Sequence, residues 1–222
     1  MEKVQANFEN IIDDEISGRW PVYQAEIRRW LSFIKRESQM ARYQQRMQSR
    51  NWQDYLAEIS TAYFLVNKKK LRIVEWEPSN EEGKFGEFII KNLNAQKIFC
   101  SVKRPSWKRA IIDQEGISPR LKQNKFIHNE AWFSTTLEDI RCCINGAMEQ
   151  LHKTIPNLLI INDDLRDSPL ELPNVIENAL FEDHGIYGKE VGYFANDQHG
   201  LVSGILFLNI VSQGRKMVYK YD

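Results

Sequence analysis

Apolar positions in the first third of the chain recur at helical spacing. Ile27, Trp30, Leu31 and Ile34 form a stripe within Val22 to Arg50, which has no internal Gly or Pro. This predicts one long helix, with Pro21 suited to its first turn. Trp52, Tyr55, Leu56, Ile59 and Tyr63 repeat the spacing in a second helix, closed by Lys68, Lys69 and Lys70 in favourable relation to the helix dipole. The pattern then shortens. Leu71 to Trp76, Phe85 to Lys91 and Lys97 to Lys103 read as three strands, separated by the turn residues Pro78 to Gly83 and Asn92 to Asn94.

Ile111 to Asn129 has no clear period and contains Gly116 and Pro119, so it reads as a loop. A third helix is predicted from Thr136 to Lys153. Leu137, Ile140, Ile144, Met148 and Leu151 form its buried stripe, and Thr135 to Asp139 supply capping chemistry. Pro156-Asn157 introduces the unbroken apolar run Leu158 to Ile161, which fits a central strand buried on both faces. A helix near Asn174 to Phe181 and strands near Val191 to Phe194, Val202 to Ile210 and Met217 to Tyr221 follow. The order helix, three strands, helix, strand predicts an α/β protein with a mixed central sheet flanked by helices. Residues 1–50 are read as an N-terminal helical extension and 51–222 as the main domain.

Composition narrows the classes. Hydrophobic residues make up 42% of the 222 residues, enough to build a core. No apolar run approaches the roughly 20 residues that span a bilayer, so no membrane association is expected. Met1 to Ser17 is acidic and amphipathic, unlike a signal or transit peptide. The three cysteines suggest buried, reduced thiols in a cytoplasmic protein rather than a disulfide framework or a zinc pattern. The histidines, His128, His152, His184 and His199, show no ligand spacing, and Gly185, Gly188 and Gly192 read as turn glycines.

The formal net charge is zero, but the charges are segregated. Bases dominate from Arg19 to Arg50 and from Lys97 to Lys125, whereas the chain after Glu130 is acidic. Such asymmetry permits phosphate binding on one side of the molecule.

Strand alternation shows which groups can converge. Phe99, Ser101 and Lys103 share one face of their strand, while Cys100 and Val102 share the other. Glu87 lies on the preceding strand of the predicted hairpin, and Glu58 sits at the edge of the apolar stripe of the second helix. Carboxylates of this kind suit a hard divalent metal, and a nearby lysine can position water or neutralise developing charge in phosphodiester hydrolysis.

At these residues the chain resembles the PD-(D/E)XK nuclease-like (restriction-endonuclease-like) superfamily. Glu58 on a helix, Glu87 on a strand, Ser101-Val102-Lys103 on the next strand and the helix from Thr136 follow that family's order, over roughly residues 50 to 162. Arg104-Pro105-Ser106 resembles the turn that often follows the family lysine. Two positions depart from the pattern. Glu87 and Gly86 stand where Asp and Pro are common, and Ser101 replaces the second acid. Some restriction enzymes of the superfamily also read Ser–x–Lys and take the missing carboxylate from elsewhere in the chain; here Glu130, and less favourably Glu115, are the candidates.

The resemblance implies a Mg²⁺- or Mn²⁺-dependent nuclease acting on DNA. Glu87 and Glu130 would bind metal, Lys103 would position the attacking water, and Glu58 would hold metal-bound water or orient Lys103. Arg104, Trp107, Lys108 and Arg109 would contact nucleic acid, with Trp107 able to stack on a base or sugar. The alternative is a catalytically inactive nuclease fold serving as a nucleic-acid-binding or protein-interaction subunit, in company with a protein partner or a second copy.

Overall fold

The computed structural model describes residues 21–46, 52–105, 140, 142–162, 201–209 and 217–221. Two helices replace the single one expected over Val22 to Arg50: α1, Pro21–Arg36, and α2, Met40–Arg46. The break has a defined geometry. Ser38 takes a positive φ of 59°, its N–H donates to the Lys35 carbonyl, and the Gln39 N–H reaches back to the Ile34 carbonyl. These two bonds form a Schellman stop. Glycine usually occupies the left-handed position, and because serine holds it here the sequence did not announce the break.

Helix α3, Trp52–Tyr63, continues into a π-helical turn, Phe64–Lys68, close to expectation. Among the described residues six strands follow: β1 Arg72–Trp76, β2 Phe88–Lys91, β3 Lys97–Lys103, β4 Asn157–Asn162, β5 Val202–Asn209 and β6 Met217–Tyr221. Residues 142–148 form a helix, α4, which ends well before the expected Lys153. Phe85 is only bridged to Ser79, so β2 begins three residues later than its apolar pattern suggested. The helix expected near Asn174 and the strand near Val191 lie outside the described residues.

The strands make one sheet in sequential order. Pairs β1–β2, β2–β3 and β5–β6 are antiparallel, and β3–β4 and β4–β5 are parallel. The chain is therefore an α/β protein with a mixed sheet. Strand β4 runs between two parallel neighbours and is almost wholly buried, as its unbroken apolar run predicts.

Alternation divides the sheet between two layers. Cys100, Val102, Ile160, Leu206 and Leu208 share one buried cluster with Ile27, Trp30, Phe33 and Ile34 of α1 and with Leu56 and Ile59 of α3. The residues between them, Phe99, Ser101, Leu159, Ile161, Ile205 and Phe207, are also buried and belong to the opposite face. Helix α4 buries Ile144 and Ala147, and the bonds from Ser101 and Lys103 to Gln150, just past its end, tie that segment to the second face. The segment 21–46, expected as an extension, thus shares its core with the sheet.

All three cysteines are free. Cys100 and Cys143 are buried, but Cys142 is exposed, contrary to the expectation of uniformly buried thiols. Among the described residues, no helix is long and apolar enough to cross a membrane.

Candidate functional site

Glu58 reaches the site because α3 is fastened to the end of β4. The Asn162 amide nitrogen lies 3.0 Å from the Ala57 carbonyl, 2.8 Å from Ser60 Oγ and 2.8 Å from Thr61 Oγ1. These contacts surround the Glu58 position in sequence and anchor that part of the helix against the sheet.

Glu87 is held by its own backbone just before β2. Its N–H donates to the Cys100 carbonyl at 3.1 Å, and its carbonyl accepts the Glu77 N–H at 3.0 Å. Its Oε2 then accepts the Val102 N–H at 2.7 Å. The acid is thereby attached to β3 between Ser101 and Lys103. Gly86 permits this approach, since an added methyl would run into the Phe99 ring and lie 3.1 Å from the Cys100 carbonyl.

Ser101 and Lys103 share a face as alternation predicts, and they share a partner as well. Gln150 Oε1 accepts a hydrogen bond from Ser101 Oγ at 3.0 Å and another from Lys103 Nζ. Gln150 is itself located by Asn80 in the loop between β1 and β2. The Asn80 amide donates to the carbonyls of Glu149 at 2.9 Å and Leu151 at 3.2 Å, one on each side of Gln150. Its Oδ1 accepts the N–H groups of Glu82 and Lys84, both at 2.9 Å, which closes the loop.

Arg42 of α2 comes to Glu58 from the remaining side. Its Nη2 lies 3.7 Å from Glu58 Oε2, and its Nε lies 3.4 Å from Glu77 Oε1. The guanidinium stacks over the rings of Tyr43 and Trp76, with centroids at 4.9 and 5.6 Å. Arg46 pairs with Glu77 as well. Two members of the Arg19 to Arg50 basic run therefore turn inward to acids.

Burial dominates the electrostatics. It raises the Glu58 carboxyl to about 8, the nearby Glu87 charge adding to the rise while Arg42 and Arg46 oppose it. Burial also raises Glu87, against the pull of Lys103, the Val102 N–H and Arg42. The Tyr43 hydroxyl is pushed well above its ordinary value by burial and by the Glu58 charge. Two acids with raised proton affinity and opposing cations on either side are the arrangement that tunes functional carboxylates, although structural networks produce it too.

A magnesium-type ion is commonly held by one or two carboxylates, with water or substrate oxygens completing its shell. Glu58 and Glu87 fit that donor set as buried carboxylates within electrostatic reach of each other; Glu58 has the Tyr43 hydroxyl and the Arg42 guanidinium as polar neighbours, with no close hydrogen bond to its Oε2. No group of three His, Cys, Asp or Glu able to hold a metal occurs among the described residues. The carboxylate expected to replace the motif acid, Glu130, lies outside them, as do Glu115, Trp107, Lys108 and Arg109. Arg104 is present, and its Nε donates to Asp54 Oδ1 at 2.8 Å.

Sequence reasoning missed Gln150, Asn80 and Arg42. Gln150 carried no periodic signal because it falls just beyond a helix read as longer, and Arg42 was one base among many. No family model, curated protein or solved structure matches this chain.

Proposed function

We propose that this chain is a divalent-metal-dependent, PD-(D/E)XK-like nuclease that hydrolyses DNA phosphodiester bonds. The observation that carries the reading is the Glu87 carboxylate hydrogen-bonded to the β3 backbone between Ser101 and Lys103, with the buried acid Glu58 beside it. Each buried acid must be desolvated at a cost, which a functional role would offset.

In this reading Glu87 and Glu58 would hold Mg²⁺ or Mn²⁺, with Glu130 as the further donor expected from the sequence. The ion would supply Lewis acidity and an activated water. Lys103, steered by Gln150, presents a cation beside the acids, where it can neutralise charge on a phosphoryl oxygen or orient water. The Asn162 and Asn80 contacts hold the elements that carry Glu58 and Gln150, so the geometry is preorganised rather than assembled by substrate. Phosphate contacts would come from Lys108 and Arg109, with Arg104 contributing on release from Asp54.

A second reading has one observation in its favour. Ser101 stands at the second-acid position and spends its hydroxyl on Gln150, which suits an inactive nuclease fold retained for binding nucleic acid or protein.

Single-turnover cleavage of mixed single- and double-stranded DNA in Mg²⁺ or Mn²⁺ separates the two. The nuclease reading expects cleavage by the wild type. It also expects loss of at least about a hundredfold in Glu87→Gln and Lys103→Ala, with the Lys103→Ala melting temperature nearly unchanged. Salt-sensitive DNA binding without cleavage in either metal would establish the inactive reading instead.

A further inference from the structure

Arg42 is held in an unusual way for a buried arginine. Its side chain is only 11% exposed, and its Nε and Nη1 atoms are buried without a hydrogen-bond partner. Its ionic contacts, at 3.7 Å to Glu58 and 3.4 Å to Glu77, are longer than the 2.7–2.9 Å of a charge-assisted hydrogen bond. A structural arginine clamp would use its planar fork bidentately. Here the guanidinium is instead gripped by two aromatic rings, so it acts on the acids as a charge rather than as a hydrogen-bonding fork.

Glu58 stands directly against that charge, with Arg42 Nη2 3.7 Å from its Oε2, and the same charge acts on Glu87 through space. The cation is delivered by a seven-residue helix that a Schellman turn joins to α1. It reaches Glu58 from α2, an element separate from those that carry Glu58 and Glu87.

We infer that Arg42 is a resident counter-cation of the Glu58–Glu87 pair that competes with divalent metal, making α2 a brake on metal loading. This rests on the metal-dependent reading above. A divalent ion bound to Glu58 would lie within a few ångströms of the guanidinium, and in a poorly solvated site the repulsion between them is worth at least a tenfold change in affinity. Glu77 works in the opposite sense. It offsets Arg42 and Arg46 from the far side, so it lowers the positive field at the acids.

The test is Mn²⁺ binding in the absence of nucleic acid, measured by calorimetry and by loss of the free-ion paramagnetic resonance signal. The proteins are the full chain, Arg42→Gln, the charge-conserving Arg42→Lys, and Glu77→Gln, with thermal melts on each. Arg42→Gln is expected to bind Mn²⁺ at least tenfold more tightly, Arg42→Lys to stay within about twofold of wild type, and Glu77→Gln to bind about threefold or more weakly. If Arg42→Gln does not fold, the Glu77→Gln and Arg42→Lys results decide. Wild-type binding with Glu77→Gln unchanged, or with Arg42→Gln unchanged or weaker, overturns the inference and leaves the metal reading intact. Absence of Mn²⁺ binding in all four proteins overturns both, whereas binding that appears only in Arg42→Gln supports the brake.

Discussion

The Val102 N–H donates to Glu87 Oε2 at 2.7 Å, so the first acid of the site is anchored to the backbone of the strand that carries the lysine. A backbone donor survives any substitution at residue 102 except proline, and it leaves Glu87 little freedom to move independently of β3. The acid, Ser101 and Lys103 therefore behave as one unit, with Gln150 as its clasp and Glu58 approaching from the helix layer.

The raised proton affinity of Glu58 has a consequence for stability. Its carboxyl titrates near 8 when folded and near its ordinary value of 4.5 when unfolded. Between these pH values the folded state holds more protons, so stability falls as pH rises from about 4.5 to about 8, then levels off. Glu87, raised in the same direction, adds to the fall. Thermal melts of the wild type in chelator should decline across this window, and Glu58→Gln should flatten the decline and melt higher than wild type at pH 8.5. A pH profile of equal slope in the two proteins would show that Glu58 ionises normally.

Gln150 should matter for the lysine rather than for the fold. Gln150→Leu removes the acceptor shared by Ser101 and Lys103 and leaves the backbone contacts with Asn80 in place. Freed from its partner, Lys103 samples several rotamers, and misplacement of about 1 Å at a reacting centre can cost roughly a hundredfold in rate. On the proposed nuclease reading, single-turnover cleavage should fall about 10- to 100-fold while equilibrium DNA affinity and melting temperature change little. Equal losses of affinity and rate would assign Gln150 to substrate binding, and full activity would remove its steering role.

Gly86 is the position where sequence pattern and packing disagree most clearly. The motif that the sequence resembles often has proline there, yet the buried Phe99 ring fills the space any Cβ would need. Gly86→Ala should destabilise by roughly 1–3 kcal/mol through overpacking. Phe99→Leu in the same chain should recover part of that loss, so the double mutant will be more stable than the sum of the singles. Urea denaturation of the four proteins measures the coupling, and strict additivity would show that Phe99 is not the obstacle.

Periodicity alone determined much of this protein. Strand β3 and strand β6 have the limits their patterns predict, and α3 runs from Trp52 with Leu56 and Ile59 of the expected stripe buried and Trp52, Tyr55 and Tyr63 half-buried against the core. The run Leu158 to Ile161 correctly marked a strand covered on both faces. The shared face of Ser101 and Lys103 followed from a repeat of two. These features depend on residues close in sequence, where a period of two or 3.6 already determines which side chains point together. The rest depended on contacts between residues far apart in the chain. Arg42 reads as a surface base until Tyr43, Trp76 and Glu58 are seen around it. Gln150 reads as an ordinary polar residue until Asn80, 70 positions earlier, fixes the backbone on both sides of it. The break at Ser38 was hidden because a serine filled a position that glycine usually marks. Burial, more than residue identity, raised the proton affinity of Glu58, and burial is decided only when α2, with Arg42 and Tyr43, and the sheet close around it.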